Sequence, residues 1–177
     1  MANYDYESLV VDIPDYPEPG VVFKDVTPLI GDPQGFAAAI DEISEHFMGK
    51  GITKVMGAEA RGFFVGAPVA YRLGCGFVPA RKPGKLPREV YSESYALEYG
   101  TDELQIHQDA LTSEDRVLVV DDLVATGGTA VACAKMIEKA GAEFCGFAFL
   151  MELAFLNPRE IIGKEFDQEI FTLFKVE

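Results

Sequence analysis

Seven residues, RVLVVDD (Arg116–Asp122), constrain the fold of this chain more than any other stretch. Between the arginine and the acids every residue is apolar and most are β-branched, without the polar alternation of a strand that has one wet face. Such a run is buried on both faces, as in a parallel sheet covered by helices on each side. The sequence after it agrees: GTAVACAKMIEKAGA has helical spacing and is ended by Gly141. Upstream, GITKVMGAEARG places an apolar run before a turn at Glu59–Gly62, and FFVGAPVAYRLG reads as a helix to Gly74. GFVPAR is a further short strand, and FCGFAFLMEL and EIFTLFKV supply two more apolar runs. Strands alternating with helices predict an α/β fold, with a mainly parallel twisted sheet flanked by helices in one domain over residues 1–177.

Three stretches complete the expected organisation. DPQGFAAAIDEISEHFMGK predicts an amphipathic helix with Asp32 as its cap, Pro33 at its first position, a stripe of Phe36, Ile40, Ile43 and Phe47, and an end near Gly49. Residues 13–30 hold four prolines and read as a segment draped over the domain, too punctuated for regular structure at its start. Residues 82–107 have weak periodicity, with short strands expected around Val90–Ala96 and Leu104–His107. So long an irregular stretch is disordered or a functional lid, and Tyr91, Tyr95 and Tyr99 favour the lid.

Charge narrows the function. With 15 basic against 29 acidic residues the formal charge is −14, which argues against nucleic-acid binding, since that needs a positive surface. Yet Arg81, Lys82, Lys85 and Arg88 cluster in ARKPGKLPREVY, after Arg61 and Arg72. In so acidic a chain a local basic cluster is a candidate site for a small polyanion. Cys75, Cys133 and Cys145 have no zinc or disulfide spacing and read as reduced, buried filler. The longest apolar stretches, Phe63–Tyr71 and Phe144–Phe155 with its Glu152, are too short or too charged for a membrane span. MANYDYESLVVD has neither the basic start nor the apolar core of a secretory signal, so a cytoplasmic protein is expected.

The loop Ala125–Thr129 joins the Arg116–Asp122 strand to the next helix. Free N–H groups at that helix start, Gly127 and Gly128 allowing close approach, and hydroxyls of Thr126 and Thr129 together make a phosphate cradle. A Gly-Gly pair here is also often just a tight connection. ATGGTA lacks the lysine of a Walker loop and the spacing of a dinucleotide fingerprint. Carboxylates beside a phosphate repel it unless they have other work, such as accepting from sugar hydroxyls or sitting near magnesium. Two acids capping the next helix is the plainer alternative. Acids, cradle and basic cluster together fit a ribose carrying a 5-phosphate and a 1-diphosphate.

VLVVDDLVATGGT resembles the phosphoribosyl diphosphate (PRPP) motif of type I phosphoribosyltransferases. DYPEPGVVFKDVTPLI, GAEARGF, RKPGKLP and YALEYGTDELQIHQDAL are similar to stretches of the adenine phosphoribosyltransferases within that family, in the same order. The resemblance runs from Ile13 to about Glu152 and leaves the segment after Ala154 the least diagnostic. Pro83 takes a variable place, and Glu59 stands where some members carry Asp, keeping the charge.

The resemblance implies the type I fold with a small flexible hood over 82–107, and a purine-salvage reaction: adenine plus PRPP gives AMP and diphosphate, with inversion and with magnesium on PRPP. It assigns the ribose hydroxyls to Asp121 and Asp122 and the 5-phosphate to Ala125, Thr126, Gly127, Gly128 and Thr129. Diphosphate falls to Arg61, Arg81, Lys82 and Lys85, with a cis peptide expected at Glu59–Ala60. Glu98, beside Tyr99 in the hood, becomes the acid/base facing the purine. Backbone groups of Val22 and Lys24 read adenine, with Phe23 placed to stack on it. Magnesium is held mainly by PRPP without an assigned protein ligand, and a homodimer is implied. The rival enzyme is a transferase for xanthine or guanine, against which LEYG and GVVFKD stand. A PRPP-binding regulator without catalysis would lack the hood glutamate and carry a basic face, and a scaffold would not need so many anion-binding positions.

Overall fold

The computed structural model describes residues 4–96 and 100–177. Its centre is a five-stranded sheet of β3 (Lys54–Ala58), β4 (Gly76–Ala80), β7 (Arg116–Val124), β8 (Glu143–Leu153) and β9 (Ile170–Val176), in the order β4-β3-β7-β8-β9. Every neighbouring pair is parallel. Two antiparallel hairpins stand apart from it: β1 (Val11–Pro14) with β2 (Val22–Asp25), and β5 (Val90–Ala96) with β6 (Thr101–His107).

The central strand shows why its sequence is apolar throughout. Leu118 and Val120 face one layer with Val55 and the helices α2 (Pro33–Phe47) and α3 (Arg61–Leu73). Val117 and Val119 face the other layer, with Cys133, Met136 and Ile137 of α4 (Gly128–Lys139) and Leu104 and Ile106 of β6. Both faces are therefore dry, and any polar side chain within β7 needs a specific partner. Two short helices complete the set, α1 (Thr27–Gly31) and α5 (Pro158–Ile162). The Asp32 cap holds as expected, its side chain accepting from the Gly35 N–H at 2.6 Å.

Three expectations need correction. Residues 13–30 are not irregular at their start: Ile13 pairs with Phe23 in an exposed hairpin, while Val26 and Leu29 further on are buried in the core. The hairpin's prolines fall at a strand end or in the turn, where no ladder N–H is required, and the turn is tied by Gly20 N–H donating to Asp15 at 2.7 Å. The second hood strand begins at Thr101, three residues before Leu104, because every position of β5 finds a partner across the hairpin. Of the three cysteines, all free thiols, only Cys133 is fully buried; Cys75 and Cys145 are partly exposed. Among the described residues no helix is long and apolar enough to cross a membrane.

Candidate active site

From β3 the chain crosses through α3 to β4 on one side, and from β7 it crosses through α4 to β8 on the other. The strand order thus reverses between β3 and β7, and a crevice opens beyond their carboxyl ends, the position where α/β sheets bind ligands. A cavity of about 280 Å³ lies there. Glu59–Arg61, Lys82, Tyr95, Asp121–Ala130 and Phe149 line it.

The acids lie within β7, which runs on to Val124, rather than at its end. Asp122 is only 3% exposed, and its Oδ2 sits 2.9 Å from Nε of Arg61. That approach is an ion pair without hydrogen-bond alignment, which leaves Oδ2 buried and without a hydrogen-bond donor among the described residues. Asp121 Oδ1 accepts from the Asp122 N–H at 2.9 Å, and a Cβ at Gly62 would come within 2.8 Å of it, so the second position of α3 is a glycine. Desolvation, then the charge of Asp122, raises the Asp121 carboxyl well above its ordinary range. Desolvation also raises Asp122, with Arg61 pulling the other way. Two neighbouring carboxylates, Asp122 buried and Asp121 partly buried, resist ionising together.

Gly127 has φ +91° and caps α4, whose first-turn N–H groups have no partner within the helix. Its loop is enclosed from two directions. A Cβ on Gly127 would lie 2.9 Å from Ile162 Cγ1, and one on Gly128 would lie 3.2 Å from the Ala96 carbonyl. The cavity therefore ends at a close-packed loop that opens α4, whose free first-turn N–H groups suit a phosphate.

The basic residues divide. Arg61 and Lys82 line the cavity, and the Glu59–Ala60 peptide before Arg61 is cis. Arg81 does not line it: its guanidinium grips Glu59, Nε to Oε2 at 3.0 Å, while the Lys82 N–H donates to the same oxygen at 2.9 Å. Arg81 foremost holds the Glu59 carboxyl below its ordinary range. Lys85 is exposed and outside the cavity lining. Lys82 Nζ is held by Asp102 and, at 3.3 Å, by the Tyr95 hydroxyl. Val22, Phe23 and Lys24 sit on β2 outside the lining, but the Phe23 ring lies 5.3 Å from the Arg61 guanidinium and so borders it. The Lys24 ammonium pairs with Asp12 at 2.7 Å. Glu98 and Tyr99 lie outside the described residues, between Ala96 and Gly100.

Sequence reasoning passed over Tyr95, Asp102 and Phe149. Tyr95 was within reach, as one of the tyrosines that separate the lid from disorder. Among the described residues no group of three or more His, Cys, Asp or Glu side chains could hold a metal ion. The two carboxylates are hard oxygen donors, adequate for an ion that keeps waters and is carried mostly by substrate phosphates.

Residues 30–169 match the family model of the phosphoribosyl transferase domain. An adenine phosphoribosyltransferase of Koribacter versatilis is 55% identical over 161 residues, 91% of this chain and 88% of its own. The crystal structure of adenine phosphoribosyltransferase from Thermoanaerobacter pseudethanolicus superposes with TM-score 0.92 at 45% identity, over 99% of this chain and 100% of that one. The Giardia lamblia enzyme complexed with 9-deazaadenine superposes with TM-score 0.94 at 35% identity, over 100% and 99%. On this similarity, and on paired acids beside a phosphate-type loop at the switch point of the sheet, the chain belongs to the phosphoribosyl transferase family and, within it, to the adenine phosphoribosyltransferases.

Proposed function

We propose that the cavity binds PRPP, with the 5-phosphate on Ala125–Thr129, the ribose hydroxyls on Asp121 and Asp122, and the diphosphate toward Arg61 and Lys82. One observation carries this reading: the buried carboxylate of Asp122, the open N-terminus of α4 and the cations Arg61 and Lys82 line one cavity. Arg81 serves by fixing Glu59, and through it the backbone of Lys82, rather than by touching diphosphate. Lys85 is exposed, free to reach a ligand that protrudes from the crevice.

N9 of adenine attacks the anomeric carbon as its bond to the diphosphate oxygen breaks, the electron pair leaving with diphosphate and the N9 proton passing to a base. Catalysis then rests on placing charges and on one proton transfer. Glu98, facing N7 of adenine, is the acid/base for the proton moved as N9 attacks, carried with Tyr99 on the 82–107 hood, which excludes water from an oxocarbenium-like ribose. Support comes from β5, which carries the chain to the phosphate loop at Ala96 immediately before them. Adenine sits on the β2 side, between Phe23 and the backbone of Val22 and Lys24; the Giardia relative's 9-deazaadenine complex supports a purine of that kind. Magnesium carried by PRPP would neutralise part of the phosphate charge, with Asp121 and Asp122 the nearby oxygen donors and no side chain assigned as its ligand.

The expected assay result is AMP from adenine, PRPP and magnesium, with guanine, hypoxanthine and xanthine far slower, and a Glu98→Gln variant about 10²-fold lower in kcat at near-normal PRPP affinity. Faster turnover of xanthine or guanine would overturn the base assignment.

The protein works as a homodimer through α3. Between Arg61 and Arg72 that helix carries no charged residue, yet Phe64 and Tyr71 are 53% and 84% exposed, with Pro68 between them along one stripe. Phe64→Asp with Tyr71→Asp should sediment as a monomer where the wild type sediments as a dimer; a monomeric wild type sinks this assignment. Three free thiols suit a reducing cytoplasm.

A further inference from the structure

The segment after Ala154, silent in the sequence, reaches the phosphate loop through a buried ion pair. Glu152 is the single acid in the run FAFLMEL and is 2% exposed. In register it stands beside Val124, the residue just before the loop Ala125–Thr129. A carboxylate buried there requires a partner, and Arg159 supplies it: Nε lies 2.9 Å from both carboxylate oxygens and Nη2 2.7 Å from Oε2. The same guanidinium donates to the Ile170 carbonyl at 3.1 Å, tying α5 to β8 and β9 together.

Five residues of helix do not hold their shape alone, so α5 depends on such ties. Its last residue, Ile162, is fully buried, and its first, Pro158, presents a carbonyl; these are the atoms found 2.9 and 3.4 Å from the place of a Gly127 Cβ. The path runs from Glu152 to Arg159, through α5 to Ile162, and from there to the apex of the loop. Neither Glu152 nor Arg159 lines the cavity.

We infer that Arg159, through its ion pair with Glu152, is a positioning residue that holds α5 as the wall behind Gly127 and so sets the geometry of the 5-phosphate seat. This rests on the assignment of PRPP to that loop. Displacing a binding group by a fraction of an ångström costs affinity for the group it holds and spares groups bound elsewhere.

The test is calorimetric titration of PRPP into wild type, Arg159→Ala, Arg159→Lys and Ile162→Ala, with KM for adenine and melting temperature measured alongside. Arg159→Ala should weaken PRPP about tenfold and leave KM for adenine within about twofold. Arg159→Lys, which keeps the charge but not the fork, should fall between. Ile162→Ala leaves the ion pair whole, and should show the same PRPP-selective loss even if Arg159→Ala does not fold. PRPP affinity unchanged in folded Arg159 and Ile162 variants, with only the melting temperature lowered, overturns the inference and leaves a structural staple. Failure of the wild type itself to bind PRPP overturns instead the assignment beneath it.

Discussion

Asparagine in place of Asp121 should make the protein more stable and almost inactive. The carboxylate sits beside Asp122 in a desolvated pocket and is raised well above its ordinary range by burial and by that neighbour. Its ionised form therefore destabilises the native state, and a neutral amide of the same shape removes the cost. The sign follows from linkage. Below the unfolded value both states are protonated and the wild type has no penalty. Between that value and the raised folded one the unfolded carboxyl ionises while the native one stays protonated, so the penalty grows across that window; above the folded value it is complete, and it is present at neutral pH. Thermal unfolding of Asp121→Asn should run about 2–4 °C above wild type at neutral pH, for roughly 1 kcal/mol gained, and the gap should close in acid. In the same variant kcat/KM for PRPP should fall about 10³-fold, as two charge-assisted bonds to ribose hydroxyls of about 2 kcal/mol each are lost. A variant equally active, or less stable at neutral pH, would refute the account.

Asp122→Asn provides the contrast. It loses activity too, but Arg61 is then left without its carboxylate at 2.9 Å, and no stability gain is expected. The two acids look alike in sequence and differ in their neighbours: Asp121 has the Asp122 N–H, Asp122 the arginine. A pair that costs stability is retained for the crevice it serves.

What could be read from the chain followed the range of the interactions. The β7 strand, the Asp32 cap and the α4 start are local, and each carried its own pattern: an unbroken apolar run, a capping acid before a proline, a glycine pair before a helical stripe. The hairpin at Val11–Asp25 was missed because its prolines argue against strands locally, while the pairing of Ile13 with Phe23 spans the turn. Arg81 was legible as a cation near the site, but not its partner; only the fold brings Glu59 within 3.0 Å and turns the guanidinium away from the cavity. Lys82 likewise joins Asp102 across the β5–β6 hairpin, a partner no spacing could name. Glu152 did leave a trace, since one acid in a run buried on both faces demands a counterion, but the sequence does not say that Arg159 answers it.

Valine in place of Gly127 should cost the largest share of PRPP binding of any single change in the loop. At φ +91° a β-branched residue is a conformational outlier, and the strain is on the order of 1–3 kcal/mol. Crowding adds to it, because the new Cβ would lie 2.9 Å from Ile162 Cγ1 and 3.4 Å from the Pro158 carbonyl. With α5 pinned by Arg159 the wall does not yield, so the loop must, and it yields into the phosphate seat. Together the two effects predict a rise in the Kd for PRPP of about 10³-fold, from roughly 4 kcal/mol of strain and overpacking. Gly128→Ala separates them. Gly128 has no positive φ, and its Cβ would meet the Ala96 carbonyl at 3.2 Å and Tyr95 Cδ2 at 3.3 Å. Crowding without strain should weaken PRPP by about tenfold, from roughly 1–2 kcal/mol of overpacking. If Gly127→Val binds PRPP as tightly as Gly128→Ala, the positive φ is not what shapes the seat, and the 5-phosphate sits elsewhere in the crevice.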